Sequence, residues 1–251
     1  MHFLVTNDDG VFADGLAALV DELKKIAEVT VVAPDRERSA VGHSLTFFNP
    51  LRVQAIKQEK KVTVYSSDGT PSDCILLGIY DLMPKKPDLV ISGINRGANM
   101  GDDVTYSGTV SAAMEGIIHG VPSFAISLNA FSEVYYGYAA SFARKLAKSV
   151  LKYGLPPRTF LNVNVPNVPD EKIQGLEITK QGESIYDQRL IKRMDPRGIE
   201  YYWITGALPT GEAEEGTDFK AVYGNKVSVT PIQLNMTNHD LIKEIKKWEI
   251  L

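Results

Sequence analysis

The stretch Phe3-Leu4-Val5-Thr6-Asn7-Asp8-Asp9-Gly10 decides how this chain is read. Phe3-Leu4-Val5 is an apolar run long enough only for a strand, and it lies so close to the N-terminus that it must be the first one. Successive side chains of a strand point to opposite faces, so Asp8 and Asp9 reach one ion only where the chain leaves the strand. Gly10 permits that turn. Two carboxylates held that closely repel, and a hard divalent cation with oxygen ligands, such as Mg2+ or Mn2+, relieves the repulsion. The competing reading of the pair alone is a solvated loop that caps the following helix. Position favours the first reading, because open α/β sheets bind ligands beyond the carboxyl ends of their strands.

Outward from this stretch, strand and helix patterns alternate. Leu16, Leu19, Val20, Leu23 and Ile26 recur at helical spacing, with Asp14 placed to cap them, and Val29 to Ala33 reads as a buried second strand. Thr70-Pro71-Ser72-Asp73 combines an N-cap, a proline at the first helical position and a capping-box acid, and so opens a helix to about Met83. Leu89 to Ser92 is a strand. Val110, Ala113, Met114, Ile117 and Ile118 form a helical stripe closed by Gly120, followed by a strand from Phe124 to Ser127, a helix from Tyr138 to Leu151 and a strand from Phe160 to Val165. The expected fold class is α/β: a Rossmann-like, mostly parallel sheet with helices on both faces.

Two stretches break the alternation. Leu51 to Tyr65 reads as a hairpin inserted into the core. From Gln174 to Thr230 helical periodicity disappears, and Ile185 to Arg193 and Ile199 to Ile204 flank the turn Asp195-Pro196-Arg197-Gly198 like a long hairpin arm. The acidic run Gly211-Glu212-Ala213-Glu214-Glu215-Gly216 is expected to be a mobile loop, and Asp240 to Trp248 a terminal helix. The expected organisation is a single domain over 1–251: an α/β core carrying the active site (1–166), a β-rich extension with the arm (174–230) and a C-terminal helix (239–251).

Composition narrows the function. A hydrophobic share of 44% and a charged share of 23% are those of an ordinary globule. The formal net charge of -4, without a Lys/Arg stripe, argues against a nucleic-acid polymer or a membrane surface as partner. The single cysteine, Cys74, excludes an intrachain disulfide and falls on an apolar helix face, as a buried structural thiol does. No apolar run reads as a leader or a membrane span, and a cytoplasmic location is expected.

Three further segments follow strands and so share the rim of Asp8 and Asp9. Ala33-Pro34-Asp35-Arg36-Glu37-Arg38-Ser39-Ala40-Val41-Gly42 follows the second strand, and spacing alone leaves open whether its charges are merely solvated. Ser92-Gly93-Ile94-Asn95-Arg96-Gly97 offers an amide oxygen at Asn95 and glycines that let backbone approach a ligand. Tyr106-Ser107-Gly108-Thr109 opens the Val110 helix, where free N–H groups, two hydroxyls and the bare Gly108 suit a phosphate; Ser107 as a plain N-cap is the alternative. The nucleotide fingerprint G-x-G-x-x-G, the P-loop pattern and zinc-type spacing are all missing. His119 falls at a helix end, and His43 alone among the histidines lies beside a rim loop.

Asn7-Asp8-Asp9-Gly10, Ala33-Pro34-Asp35-Arg36 with Ser39 and Gly42, Gly69-Thr70-Pro71-Ser72-Asp73-Cys74, Ser92-Gly93-Ile94-Asn95-Arg96-Gly97 and Tyr106-Ser107-Gly108-Thr109-Val110 together resemble the successive motifs of the survival protein SurE family, in the same order from residue 3 to about 166. The resemblance implies a metal-dependent phosphatase acting on nucleoside monophosphates, with one divalent ion per subunit held by Asp8, Asp9, Ser39 and Asn95. It implies that Asp8 and Asp9 are catalytic and that phosphate is received near Asn95, Ser107, Gly108 and Thr109. It leaves open base, sugar, the choice between 3′- and 5′-phosphates, and polyphosphate. One departure is Ser72, where the family commonly carries Ala.

Water is the economical nucleophile for such a site, with Asp8 attack to give an aspartyl-phosphate as the alternative. Two other classes fit less well. A receiver-like signalling module needs a phospho-accepting Asp where this chain has Gly93 and Asn95, and a haloacid-dehalogenase-like phosphatase needs D-x-D where position 7 is Asn and position 10 Gly. The arm carries Ile185, Tyr186, Leu190, Ile191, Met194, Tyr201, Tyr202 and Trp203 with no helix pattern to cover them. Such a ribbon needs a partner, either its own domain or a second subunit, and the family resemblance favours the latter, implying a homodimer or homotetramer built partly by this arm.

Overall fold

The computed structural model describes residues 1–130, 133–206, 210–211 and 214–248. The opening run forms β1 (His2–Thr6), whose alternation divides the core: Phe3 and Val5 face one layer of helices and Leu4 the other. The chain continues through α1 (Asp14–Leu23), β2 (Glu28–Pro34), β3 (Val53–Glu59), β4 (Val62–Ser67), α2 (Pro71–Leu77) with a π-helical turn over Gly78–Leu82, and β5 (Leu89–Arg96). After a 3-10 turn over Gly101–Thr105 come α3 (Gly108–Ile118), β6 (Ser123–Asn129), α4 (Tyr136–Tyr153) and β7 (Thr159–Pro166). The extension holds β8 (Leu176–Ile178), β9 (Ser184–Ile185), β10 (Gln188–Met194), β11 (Glu200–Gly206), β12 (Thr210–Gly211), α5 (Asp218–Tyr223) and β13 (Val227–Gln233), and α6 (His239–Ile245) follows.

Nine strands form one sheet in the order β3-β4-β2-β1-β5-β6-β7-β13-β8. From β4 to β7 every neighbouring pair is parallel, and β3 and β13 run antiparallel to β4 and β7. Leu16, Leu19 and Leu23 of α1 and Ala139, Ala143 and Ala147 of α4 cover one face. Cys74 and Ile75 of α2 and Ala112 of α3 cover the other. Strand order reverses between β1 and β5, which puts a topological switch point where Asp8 and Asp9 leave the sheet.

The helix at Thr70 starts as its sequence predicts. The Thr70 hydroxyl accepts from the Asp73 N–H at 3.1 Å, and the Asp73 carboxylate accepts from the Thr70 N–H at 2.9 Å. Cys74 is fully buried between α2 and the sheet, and burial pushes its thiol far up. Among the described residues no helix is long and apolar enough to cross a membrane.

Three local expectations are corrected and one is refined. Ala13, with extended dihedrals, is the N-cap of α1, and Asp14 is its first helical residue, acting on the helix dipole instead of capping. The hairpin expected over 51–65 is present as the antiparallel pair β3–β4, with β4 joining the main sheet parallel to β2 and β3 forming its edge. The extension contains a helix, α5, whose Thr217 N-cap hydroxyl accepts from the Lys220 N–H at 3.3 Å. Ile185 belongs to the short β9–β12 pair, so the arm is β10 and β11, joined at the Asp195 turn. Positions 212–213 of the acidic run and 249–251 of the expected terminal helix lie outside the described residues.

Candidate active site

The acid pair is placed by a turn that the backbone ties down on two sides. The Asn7 side-chain amide donates to the Gly10 carbonyl at 3.0 Å, and Gly10 adopts φ +103°. The Val11 N–H donates to the Pro34 carbonyl and the Arg38 N–H to the Asp8 carbonyl, both at 2.8 Å, which fixes the loop after β2 against the loop after β1. The two carboxylates then diverge.

Asp8 is only 4% exposed and turns toward the start of α3. Its Oδ1 accepts from the Thr109 hydroxyl and its Oδ2 from the Thr109 N–H at 3.1 Å. Gly108 makes the approach possible: a Cβ there would stand 3.0 Å from both Cβ and Oδ2 of Asp8 and 3.2 Å from Pro71 Cγ. Asp9 turns instead toward β5, where its Oδ2 accepts from the Arg96 N–H at 3.1 Å.

Burial pushes the Asp8 carboxyl up, against the pull of the Thr109 hydrogen bonds. Burial and then the Asp8 charge push Asp9 up to about 6. Burial disfavours the charged form of both carboxyls, and a cation bound between them would favour it. Among the described residues no three His, Cys, Asp or Glu side chains group to hold a metal. Ser39 and Asn95 bring neutral oxygens to the cleft that Asp8 lines.

Ser39 is exposed, and its hydroxyl donates to Glu37 Oε1 at 2.5 Å. Asn95 is half-buried at the end of β5, where the register against β6 shifts between Gly93 and Asn95. Gly93 takes φ +135° there, and a Cβ would lie 2.2 Å from the Ile126 carbonyl oxygen. The Asn95 amide donates to the Gly97 carbonyl at 2.8 Å, which directs its Nδ2 and leaves the oxygen for another partner. Ser107 caps α3 by accepting from the Val110 N–H at 3.1 Å.

Asp8, Ser39, Asn95 and Ser107 line one cleft of about 370 Å³. Asp9, Ser39 and Arg96 line a neighbouring one of about 330 Å³, with Asp14, Glu37 and Tyr136. Gly108 and Thr109 stand behind Asp8 and outside both linings. His43 also lies outside them: its Nε2 pairs with Glu115 Oε2 at 2.5 Å, and His119 Nε2 pairs with Glu115 Oε1 at 2.8 Å. His119 thus serves a side chain of the preceding turn and not the terminal carbonyls of α3.

A family model described as Survival protein SurE matches residues 3–188. The chain belongs to the SurE family. It is similar to proteins named 5'-nucleotidase SurE in Geobacter sulfurreducens, at 50% identity over 100% of this chain and 94% of that protein, and in Geotalea daltonii, at 51% identity over 100% of both. The relative of that name in Heliobacterium modesticaldum is 47% identical over 99% of this chain and 92% of its own length. The crystal structure of the SurE protein from Aquifex aeolicus covers 98% of both chains with a TM-score of 0.83 at 47% identity.

Two groups in this SurE site escape a sequence reading centred on the motifs. Asn99 is buried beneath the first cleft: its amide donates to Ser127 Oγ at 2.7 Å, and its N–H donates to Asn164 Oδ1 at 2.8 Å. Asn162 and Asn164 both donate to its carbonyl. The signal for this network is Asn162-Val163-Asn164-Val165, where amides alternate with apolar residues inside a buried strand. Asp103 lines the same cleft and accepts from the Tyr186 hydroxyl at 2.8 Å, a partner 83 residues away that no local pattern announces.

Proposed function

We propose that this SurE-family chain hydrolyses nucleoside monophosphates to nucleoside and inorganic phosphate, using one divalent cation per subunit, Mg2+ or Mn2+, held by Asp8, Asp9, Ser39 and Asn95. The chain is a phosphoric monoester hydrolase of the 5'-nucleotidase class, the activity its relatives are named for. The observation that carries the site assignment is the adjacent acid pair at the switch point, Asp8 buried and Asp9 half-buried, set beside the N-terminus of α3, with burial pushing both carboxyls up.

The cation, when bound, supplies charge neutralisation to the acid pair and to the phosphoryl oxygens. The chain's own residues do the rest. Asn95, Ser107 and Gly108 receive the phosphate at the start of α3, where N–H groups and the helix dipole favour an anion. Thr109 belongs to the same cradle and fixes Asp8 within it. The reading takes water as the nucleophile, with attack by Asp8 to give an aspartyl-phosphate as the alternative. Asp9, the second carboxylate of the pair, is the group placed to take the proton from that water.

The same reading includes a homodimer or homotetramer. Every residue of β10 and β11 is exposed, among them Leu190, Met194, Tyr202, Trp203 and Ile204. A two-stranded ribbon with this much apolar surface is marginal in water by itself, and a second copy is the partner that would cover it.

The deciding experiment is phosphate release from a panel of nucleoside monophosphates, before and after chelation and on return of Mg2+ or Mn2+. Release that disappears with chelator and returns with metal is expected. Undiminished release in chelator rejects the metal reading, and no release from any nucleotide rejects the substrate class.

A further inference from the structure

Two clefts leave the acid pair, and their chemistry differs. The one beside Asp9 adds the carboxylates of Asp14 and Glu37, a lining suited to a cation and water. The other runs from Asp8, Asn95 and Ser107 to Asp103 and Tyr106. Its far end offers an aromatic ring that is 58% exposed and one half-buried carboxylate.

Resting on the phosphatase reading above, we propose that the nucleoside half of the substrate occupies this second cleft. The Asp103 carboxylate accepts a sugar hydroxyl, the Tyr106 ring covers the base, and Tyr186 of the β-rich extension is the positioning residue for Asp103. Three observations carry this. First, a carboxylate recognises only donors, and Asp103 has one oxygen to offer: Oδ1 accepts from the Tyr186 hydroxyl, and Oδ2 has no hydrogen-bond partner among the described residues. A sugar hydroxyl is a neutral donor of the matching kind.

Second, the separation between the phosphate end and the sugar end is fixed by backbone. The Asp103 carbonyl accepts from the Tyr106 N–H at 3.0 Å and from the Ser107 N–H at 3.1 Å. Asp103, Tyr106 and the α3 N-cap therefore move as one unit. An exposed aromatic face held rigidly beside a phosphate site is a platform for a base, since every base presents a π-face.

Third, the extension is clamped to this same turn. The Asp102 N–H donates to Ser184 Oγ at 2.9 Å, and the Ser184 N–H donates to Asp102 Oδ2 at 3.2 Å. Tyr186 follows two residues later, so the strand that leads into the arm also sets the wall of the cleft. A nucleoside bound there would report on the docking of the extension, which a simple phosphate would not.

The test compares adenosine 5′-monophosphate with phenyl phosphate in the full-length chain, using Asp103→Asn and Tyr186→Phe. The ratio of kcat/KM for the nucleotide to that for phenyl phosphate is expected to fall at least fivefold in Asp103→Asn and about threefold in Tyr186→Phe, mainly through KM. Calorimetric titration with adenosine alone, without metal, is expected to show weaker binding by similar factors. A ratio or an adenosine affinity within twofold of wild type in both variants overturns the proposal. If Asp103→Asn does not fold, Tyr186→Phe decides, since it keeps the ring and removes only the hydroxyl. Wild-type cleavage of the nucleotide with an unchanged ratio in the variants overturns this inference and leaves the phosphatase reading standing. Cleavage of neither substrate overturns the phosphatase reading, while adenosine binding still decides the nucleoside cleft.

Discussion

Thr109 grips Asp8 by both carboxylate oxygens, with its hydroxyl on Oδ1 and its N–H on Oδ2 at 3.1 Å, although 101 residues separate the two in sequence. The grip joins the end of β1 to the start of α3 and orients the most buried acid of the site. Thr109→Val keeps the branched shape and removes one donor, leaving a buried carboxylate oxygen unpaired. We expect stability to fall by about 1–3 kcal/mol and phosphate release to fall roughly a hundredfold. Thr109→Ser, which restores the hydroxyl, should recover most of both. Thermal melts beside initial rates separate the two effects, and a valine variant with wild-type rates would remove Asp8 orientation from the mechanism.

Asp8→Asn and Asp9→Asn each delete charge from a pair whose carboxyls burial pushes up, with the Asp8 charge adding to the shift at Asp9. Both variants should lose most phosphatase activity at saturating Mg2+ or Mn2+, by roughly a hundredfold or more. Neither should unfold, and Asp9→Asn should melt higher than wild type without metal, because it relieves repulsion that no hydrogen bond offsets fully. Wild-type turnover in either variant would sink the site assignment.

The Glu115 network offers a pH signature remote from the acid pair. Burial pushes this carboxyl up, but hydrogen bonds from His43 and His119 more than offset it and hold it below its ordinary value. A carboxyl depressed in the folded state stabilises the protein above its unfolded value, roughly 4.3, and that contribution is lost as pH falls through the lower folded value. Glu115→Gln should therefore cost about 2 kcal/mol near pH 7, and its deficit against wild type should shrink as pH drops below about 4. Chemical denaturation at several pH values gives the two slopes. A constant deficit would place the contribution in packing and not in charge.

The exposed ribbon predicts assembly. Light scattering at micromolar concentration should find a dimer or tetramer, and replacing residues 185–204 with a short glycine linker should lower the order. A monomeric full-length protein would refute this without touching the acid pair.

The fold and the site were legible to different depths. Hydrophobic alternation in Phe3-Leu4-Val5, the Thr70 capping box and the stripes of α1 and α3 are local signals, and each produced the element it predicts. Asp8, Ser39, Asn95 and Ser107 were legible as rim residues because loops after parallel strands collect on one edge, and they do meet in one cleft. Long-range pairing was not legible. Nothing near Val62 announces that β4 lies beside β2, and the exposed edge strand β3 reads the same whether its partner is central or peripheral. The resemblance sets Thr109 beside phosphate, but the engagement of its hydroxyl and N–H by Asp8 depends on how α3 docks and has no local signal. The Glu115 pairing escaped for the same reason, since His43 reaches it across 72 residues.

Cys74, the chain's only cysteine, lies fully buried under α2 with its thiol held in the unreactive neutral form. The native protein is accordingly a silent background for maleimide chemistry. A cysteine introduced at Arg197, on the exposed turn between β10 and β11, would be the sole site to take up a fluorophore or spin label, so distances between labelled ribbons could be followed without first engineering away a native thiol.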